Sequence, residues 1–176
     1  MLRTLLLLVL LLPGCMSIPV STMLRMREFD QNAFVALVPA DIRVRVKVPD
    51  GFAMDPAQTV LRIALSTDDG GSVMGSFPLA VIAEDLETRP GGVFSDELQL
   101  RRYELKLSPR GLELFAQAQD QLRSARAGEF KLDVSWAFAH IPEKAESARF
   151  WIALKLAAGE DYFALIEDAQ VAFERP

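Results

Sequence analysis

Ile42-Arg43-Val44-Arg45-Val46-Lys47-Val48 alternates apolar and cationic residues without an error. Successive side chains of a strand point to opposite faces, so Ile42 and the valines share one face and the cations the other. A basic strand has two readings. One is a nucleic-acid surface. The other is a half-buried strand whose charged face is solvated. The second is preferred, because acids outnumber bases 24 to 19 and no aromatic residue interleaves the cations.

The same period recurs along the chain. Leu61, Ile63 and Leu65 alternate up to Asp68-Asp69-Gly70-Gly71, which has the composition of a turn. Phe77, Leu79 and Val81 share a face. Phe130, Leu132, Val134, Trp136 and Phe138 form the longest stripe, with Lys131, Asp133 and Ser135 opposite. Phe150, Ile152, Leu154 and Leu156 form another, and a turn at Gly159-Glu160-Asp161 leads back through Tyr162–Ile166 to Phe173 as a hairpin. In Leu98–Leu107 the apolar residues occupy even positions before Arg101-Arg102 and odd positions after them. A bulge at that pair would absorb the change of phase. Glu84-Asp85-Leu86-Glu87 and Glu160-Asp161 read as charged loops.

One long helix interrupts the strands, over about 109–126. Ser108 suits its N-cap and Pro109 its first turn. Leu112, Phe115, Ala118, Leu122 and Ala125 fall near one face, Gln117, Asp120, Gln121 and Arg123 face water, and Gly128 is placed to stop it. A second, short helix is expected near 30–38, capped by Asp30 and ended before Pro39. About eight short strands separated by turn signals predict a mainly β chain: an antiparallel β-sandwich with the long helix inserted between two strands. A helix packed on a single sheet is the alternative.

The first residues carry a different message. Arg3 precedes an apolar run from Leu5 to Leu12, followed by small residues and a cysteine, the plan of a secretory signal. A spanning helix needs about 20 mostly apolar residues, and Pro13, Gly14 and Pro19 interrupt that window. Leu12-Pro13-Gly14-Cys15 resembles the lipobox of bacterial lipoproteins: an aliphatic residue, a small residue, Gly or Ala, then cysteine. Leu12, Gly14 and Cys15 match; Pro13 departs from the usual small residue. The resemblance covers only the first sixteen residues. It implies cleavage before Cys15, a diacylglyceryl thioether on its sulfur and an acyl group on the new amine. Met16, in place of the aspartate that holds such proteins at the inner membrane, implies the periplasmic face of an outer membrane. Residues 1–14 are then a signal peptide, 15–22 a tether and 23–176 a single domain.

Cys15 is the sole cysteine, so no intramolecular disulfide forms, and lipidation accounts for the thiol. Without Arg3 the remaining 162 residues hold 18 basic and 24 acidic side chains, a length that supports one domain with a sizeable core. That balance argues against nucleic acid as a partner, since such binding rests on basic patches.

Signals for catalysis are sparse. His140 is the sole histidine and sits at a strand end before Ile141-Pro142. A Ser-His-Asp triad would have to use it. No Gly-x-Ser-x-Gly elbow and no phosphate-binding loop is present. One histidine and one lipidated cysteine do not build a zinc site, and Asp68-Asp69-Gly70-Gly71 lacks the spacing of a calcium loop. No metal or other cofactor is expected. Trp151 stands off the apolar parity of its strand, and Tyr162 lies near it across the hairpin. Such a pair suits a contact with another protein, or is covered by the helix or the tether. The expectation is therefore a non-catalytic, lipid-anchored interaction module of the cell envelope, held to the membrane through Cys15 and docking onto another envelope protein. A soluble periplasmic carrier of an apolar ligand is the alternative, and a carboxylate hydrolase the third.

Overall fold

The computed structural model describes residues 18–67, 72–90, 97–123 and 127–173. The stretch read as a signal, Cys15, Met16 and Asp68-Asp69-Gly70-Gly71, expected as a turn, lie outside them. Seven strands follow the alternation: β1 (Arg43–Pro49), β2 (Ala53–Thr67), β3 (Ser72–Arg89), β4 (Leu98–Leu107), β5 (Ala127–His140), β6 (Ser147–Lys155) and β7 (Phe163–Ala172). All pair antiparallel in one sheet of order β5-β2-β3-β4-β1-β6-β7. The chain is mainly β, as the alternation predicts, with seven strands among the described residues rather than about eight.

The sheet curls until its two ends face each other, giving a half-barrel with a sandwich-like interior. Val44, Val46 and Val48 are fully buried on the concave side, with Leu61, Ile63, Phe77, Leu105, Leu107, Ile152 and Leu154. Two aromatic clusters lock the curl. At one end Trp136 and Phe138 of β5 meet Phe150 of β6 and Phe173, with centroid distances of 5.5 Å for Trp136–Phe150 and 5.6 Å for Phe138–Phe173. Edge strand β5 therefore packs against the far end of its own sheet.

Helices fill the other end. α2 (Gln31–Ala36) is capped by Asp30, whose carboxylate accepts from the Ala33 N–H at 2.8 Å. α3 (Pro109–Leu122) is capped by Ser108, whose hydroxyl accepts from Gly111 N–H at 3.0 Å. Phe34 of α2 and Phe77 of β3 meet Phe115 of α3 with centroids 4.8 and 4.9 Å away. Gln119 is buried on α3, and its amide nitrogen lies 2.9–3.1 Å from the carbonyls of Phe34, Val35 and Leu37. It thus satisfies the open carbonyl end of α2.

Four sequence expectations are corrected. α3 ends at Leu122, not 126, and Gly128 lies within β5 rather than stopping the helix. β4 pairs with β1 in unbroken register from Arg43↔Lys106 to Pro49↔Leu100, so no bulge falls at Arg101-Arg102. The irregularity is on the neighbouring strand β3, between Val81 and Ala83. The phase changes because β4 buries apolar residues on both faces: Tyr103, Leu105 and Leu107 inside, Leu100 outside, at 1% exposure. Glu84-Asp85-Leu86-Glu87 lies in β3, not in a loop. Finally, the stretch expected as a tether is helical from its sixth residue. α1 (Val20–Arg27) runs across the gap between edge strands β5 and β7, and the buried Thr22 hydroxyl donates to the Ala164 carbonyl of β7.

Candidate functional site

The convex face of β1 carries the cations of the alternating stretch: Arg43 donates to the Ala40 and Ile42 carbonyls, while Arg45 and Lys47 meet acids on neighbouring strands. Arg45 stands directly opposite Glu104 of β4, 3.7 Å away. Lys47 stands opposite Arg102, a like-charge pair that destabilises a sheet unless relieved. Glu87 of β3 relieves it, bonding Lys47 at 2.6 Å and lying 3.6 Å from Arg102, which also binds Asp85 at 2.9 Å. The Asp85 bond pushes the Arg102 pKa above its usual value. With Arg45 and Lys47 paired in this way, the cations of β1 do not form a continuous free stripe.

Tyr162 and Trp151 both join this face, in different ways. The Arg45 guanidinium stacks 3.8 Å from the Tyr162 ring centroid, and the Tyr162 hydroxyl donates to Glu104 at 2.9 Å. Burial first, then the bond to Glu104, pushes the Tyr162 phenol up to about 12. Tyr162 is thus tied into the ion-pair lattice and half-buried. Trp151 stands opposite Lys47 in register, with Arg89 5.3 Å and Arg149 5.7 Å from its ring centroid. Its indole N–H is buried and has no hydrogen-bond partner among the described residues. Arg149 pairs with Asp168, whose φ of 58° places it in the left-handed region. Arg89 has no carboxylate partner among the described residues. Trp151, Leu100, Ile166, Lys47, Glu87 and Arg89 surround a groove of about 270 Å³.

A larger cleft of about 810 Å³ opens between α1 and β5. Its walls are mostly apolar: Met23 and Met26 of α1, Phe29, Phe130 and Leu132 of β5, and Leu165 of β7. Arg27, Asp30, Lys131 and Asp133 stand at its rim. Sequence reasoning missed it because its walls come from segments more than 100 residues apart.

His140 is exposed at the end of β5, opposite Ala53. Among the described residues no three His, Cys, Asp or Glu side chains converge on a metal-sized site, and no helix is long and apolar enough to cross a membrane. Compared with known proteins, the chain matches no family model, no curated protein and no solved structure.

Proposed function

We propose that this protein is a lipid-anchored module of the cell envelope that works by binding rather than catalysis, and that the groove beside Trp151 receives a segment of another envelope protein. Anchoring rests on the lipobox-like Leu12-Pro13-Gly14-Cys15, and the periplasmic face of the outer membrane on Met16. The observation that carries the docking reading is the pairing of Trp151 with Arg89. A partly exposed indole beside a guanidinium with no carboxylate partner among the described residues, with Leu100 and Ile166 as neighbours, matches an apolar side chain flanked by a carboxylate. A photo-crosslinking residue in place of the exposed Glu167, on the groove wall, tests this in intact cells. A discrete protein adduct that disappears in Arg89→Glu is expected. Adducts from a control position on α3, such as Gln117, with none from position 167, would refute it.

The apolar cleft supports a second reading, a carrier of an apolar ligand. Its size and lining fall in the range of small-molecule sites, about 300–1,000 Å³. Solvent extraction of the purified protein followed by mass spectrometry should then return a stoichiometric lipid not attached to Cys15. Recovery of the covalent anchor alone would dismiss this reading.

A further inference from the structure

α1 is packed inside out. Its inner side is Thr22, 2% exposed, with Arg25 and Met26, while its outer side presents Val20 at 69% and Leu24 at 60%, and Met23, at 54%, stands between that side and the cleft beside β5. Thr22 is held by the Ala164 carbonyl. Arg25 is held by Glu160 and by the Phe163 ring, 4.4 Å away. The orientation of the helix is therefore fixed by contacts on its polar side. Ile18, 46% exposed, continues the exposed apolar surface toward the N-terminus and also lines the cleft. The other large exposed apolar residues among those described, Val38, Ile82, Leu86 and Ile141, are scattered over three separate places. Single exposed apolar side chains need no explanation, but four within seven consecutive positions do.

We infer that the outward face of α1 seats on the surface of the lipid bilayer. The inference rests on the reading of Cys15 as the lipidated residue. Ile18 follows Cys15 by three residues, which span at most about 11 Å of chain. An acylated sulfur lies at the headgroup boundary, so Ile18 and Val20 stand within a few residues' reach of it. A helix of this kind lies in the interface plane, with its apolar face about 5–10 Å into the headgroup and acyl boundary. Arg27, exposed beside Leu24, reaches the phosphates with its guanidinium while its stem remains among the apolar residues. The bilayer is the occupant this surface fits, because the anchor brings the bilayer to it whatever else the protein meets. Seated in this way, α1 turns a flexible single-point attachment into a fixed orientation, with the cleft of about 810 Å³ opening close to the lipid.

Tryptophan quenching tests the placement on the full chain. Leu24→Trp and Val20→Trp each add one indole to the native Trp136 and Trp151, and the unsubstituted protein supplies the background. The protein is reconstituted in phosphatidylethanolamine–phosphatidylglycerol vesicles with or without lipid brominated near the headgroup end of its chains. Roughly twofold quenching of the added fluorescence is expected at positions 24 and 20, the interfacial depth of such a helix, and none for Gln117→Trp. The mass of the N-terminal peptide is read on the same sample. Acylated Cys15 with unquenched indoles at 20 and 24 overturns the membrane seat and leaves the anchor standing; so does shielding of those indoles by a protein rather than by brominated lipid. Unmodified Cys15 with quenched indoles removes the anchor and keeps the seat. Unmodified Cys15 without quenching removes both.

Discussion

Gly111→Ala is the substitution on which helix propensity and packing disagree in sign. Gly111 lies in the first turn of α3, where replacing glycine by alanine gains up to about 1 kcal/mol of helix propensity. In this fold a Cβ at position 111 would stand 2.3 Å from the Pro78 carbonyl oxygen of β3. An unstrained carbon–oxygen contact is about 3.3 Å or more, so the helix must retreat by about 1 Å. Neither side yields easily. Pro78 is strand backbone, and its carbonyl already accepts from the Ser108 N–H at 2.9 Å. Retreat would stretch that bond and the Ser108 cap on Gly111 N–H at 3.0 Å, each contributing about 1 kcal/mol. Overpacking typically costs about 1–3 kcal/mol. After the propensity gain, a net loss of about 2 kcal/mol remains, equivalent to a fall in Tm of about 4–8 °C for a domain of this size. Urea unfolding followed by circular dichroism should show a lower midpoint at unchanged slope. A midpoint equal to or above that of the parent protein would refute the close approach of α3 to β3.

Gln119→Leu removes the side-chain donor from the carbonyls of Val35 and Leu37, while Phe34 keeps the Leu37 N–H, and should cost about 1–3 kcal/mol; an unchanged thermal melt would show that water replaces the amide. The chain has two tyrosines, and burial raises both phenols, Tyr162 to about 12 with help from Glu104. Because their folded pKa values lie above the unfolded value of about 10, the stability they contribute is whole below pH 10 and is lost as pH rises toward 12. Absorbance at 295 nm should show little tyrosinate in the folded protein at pH 10 and half-ionisation in denaturant; the same titration in both states would contradict the buried placement. Asp168→Val puts a β-branched residue at a φ of 58° and removes the partner of Arg149, so a loss of about 1–2 kcal/mol is expected, and an unaltered unfolding midpoint would rule out the left-handed turn there.

The concave face of the half-barrel was legible because its residues obey one rule. Strands with one wet face write their burial as period two, as β1 does along its whole length and β5 over Phe130–Val134. Legibility failed where a strand buries apolar groups on both sides. Leu100 and Tyr103 point to opposite faces of β4, yet both are nearly inaccessible, because Trp151 and the stems of Arg45, Lys47 and Arg89 cover the convex face beside Leu100. A parity switch in sequence therefore has two physical sources, a bulge or a second burial surface, and only the register of the partner strands separates them. The same limit applies to Trp151. Its parity showed which face it occupies, but Arg89, Glu87 and Leu100, which shape its surroundings, come from strands 50 or more residues away.

α1 failed for a more instructive reason. Helix recognition looks for an apolar stripe to bury, and in Val20–Arg27 the stripe exists but points outward, while a threonine and an arginine face the fold. The helix is docked by specific polar contacts, Thr22 to a free carbonyl on edge strand β7 and Arg25 to Glu160. Those contacts also cover an edge that would otherwise be open to pairing with another chain. A helix docked through its polar side has its apolar side left over. In a chain whose net charge is acidic, with all three cations of β1 stacked against or bonded to neighbouring groups, that leftover face is what the proposed membrane seat would use. The ion-pair lattice and the inverted helix thus divide the molecule: β1 keeps its charges for its own sheet, and α1 turns its apolar residues toward what lies outside.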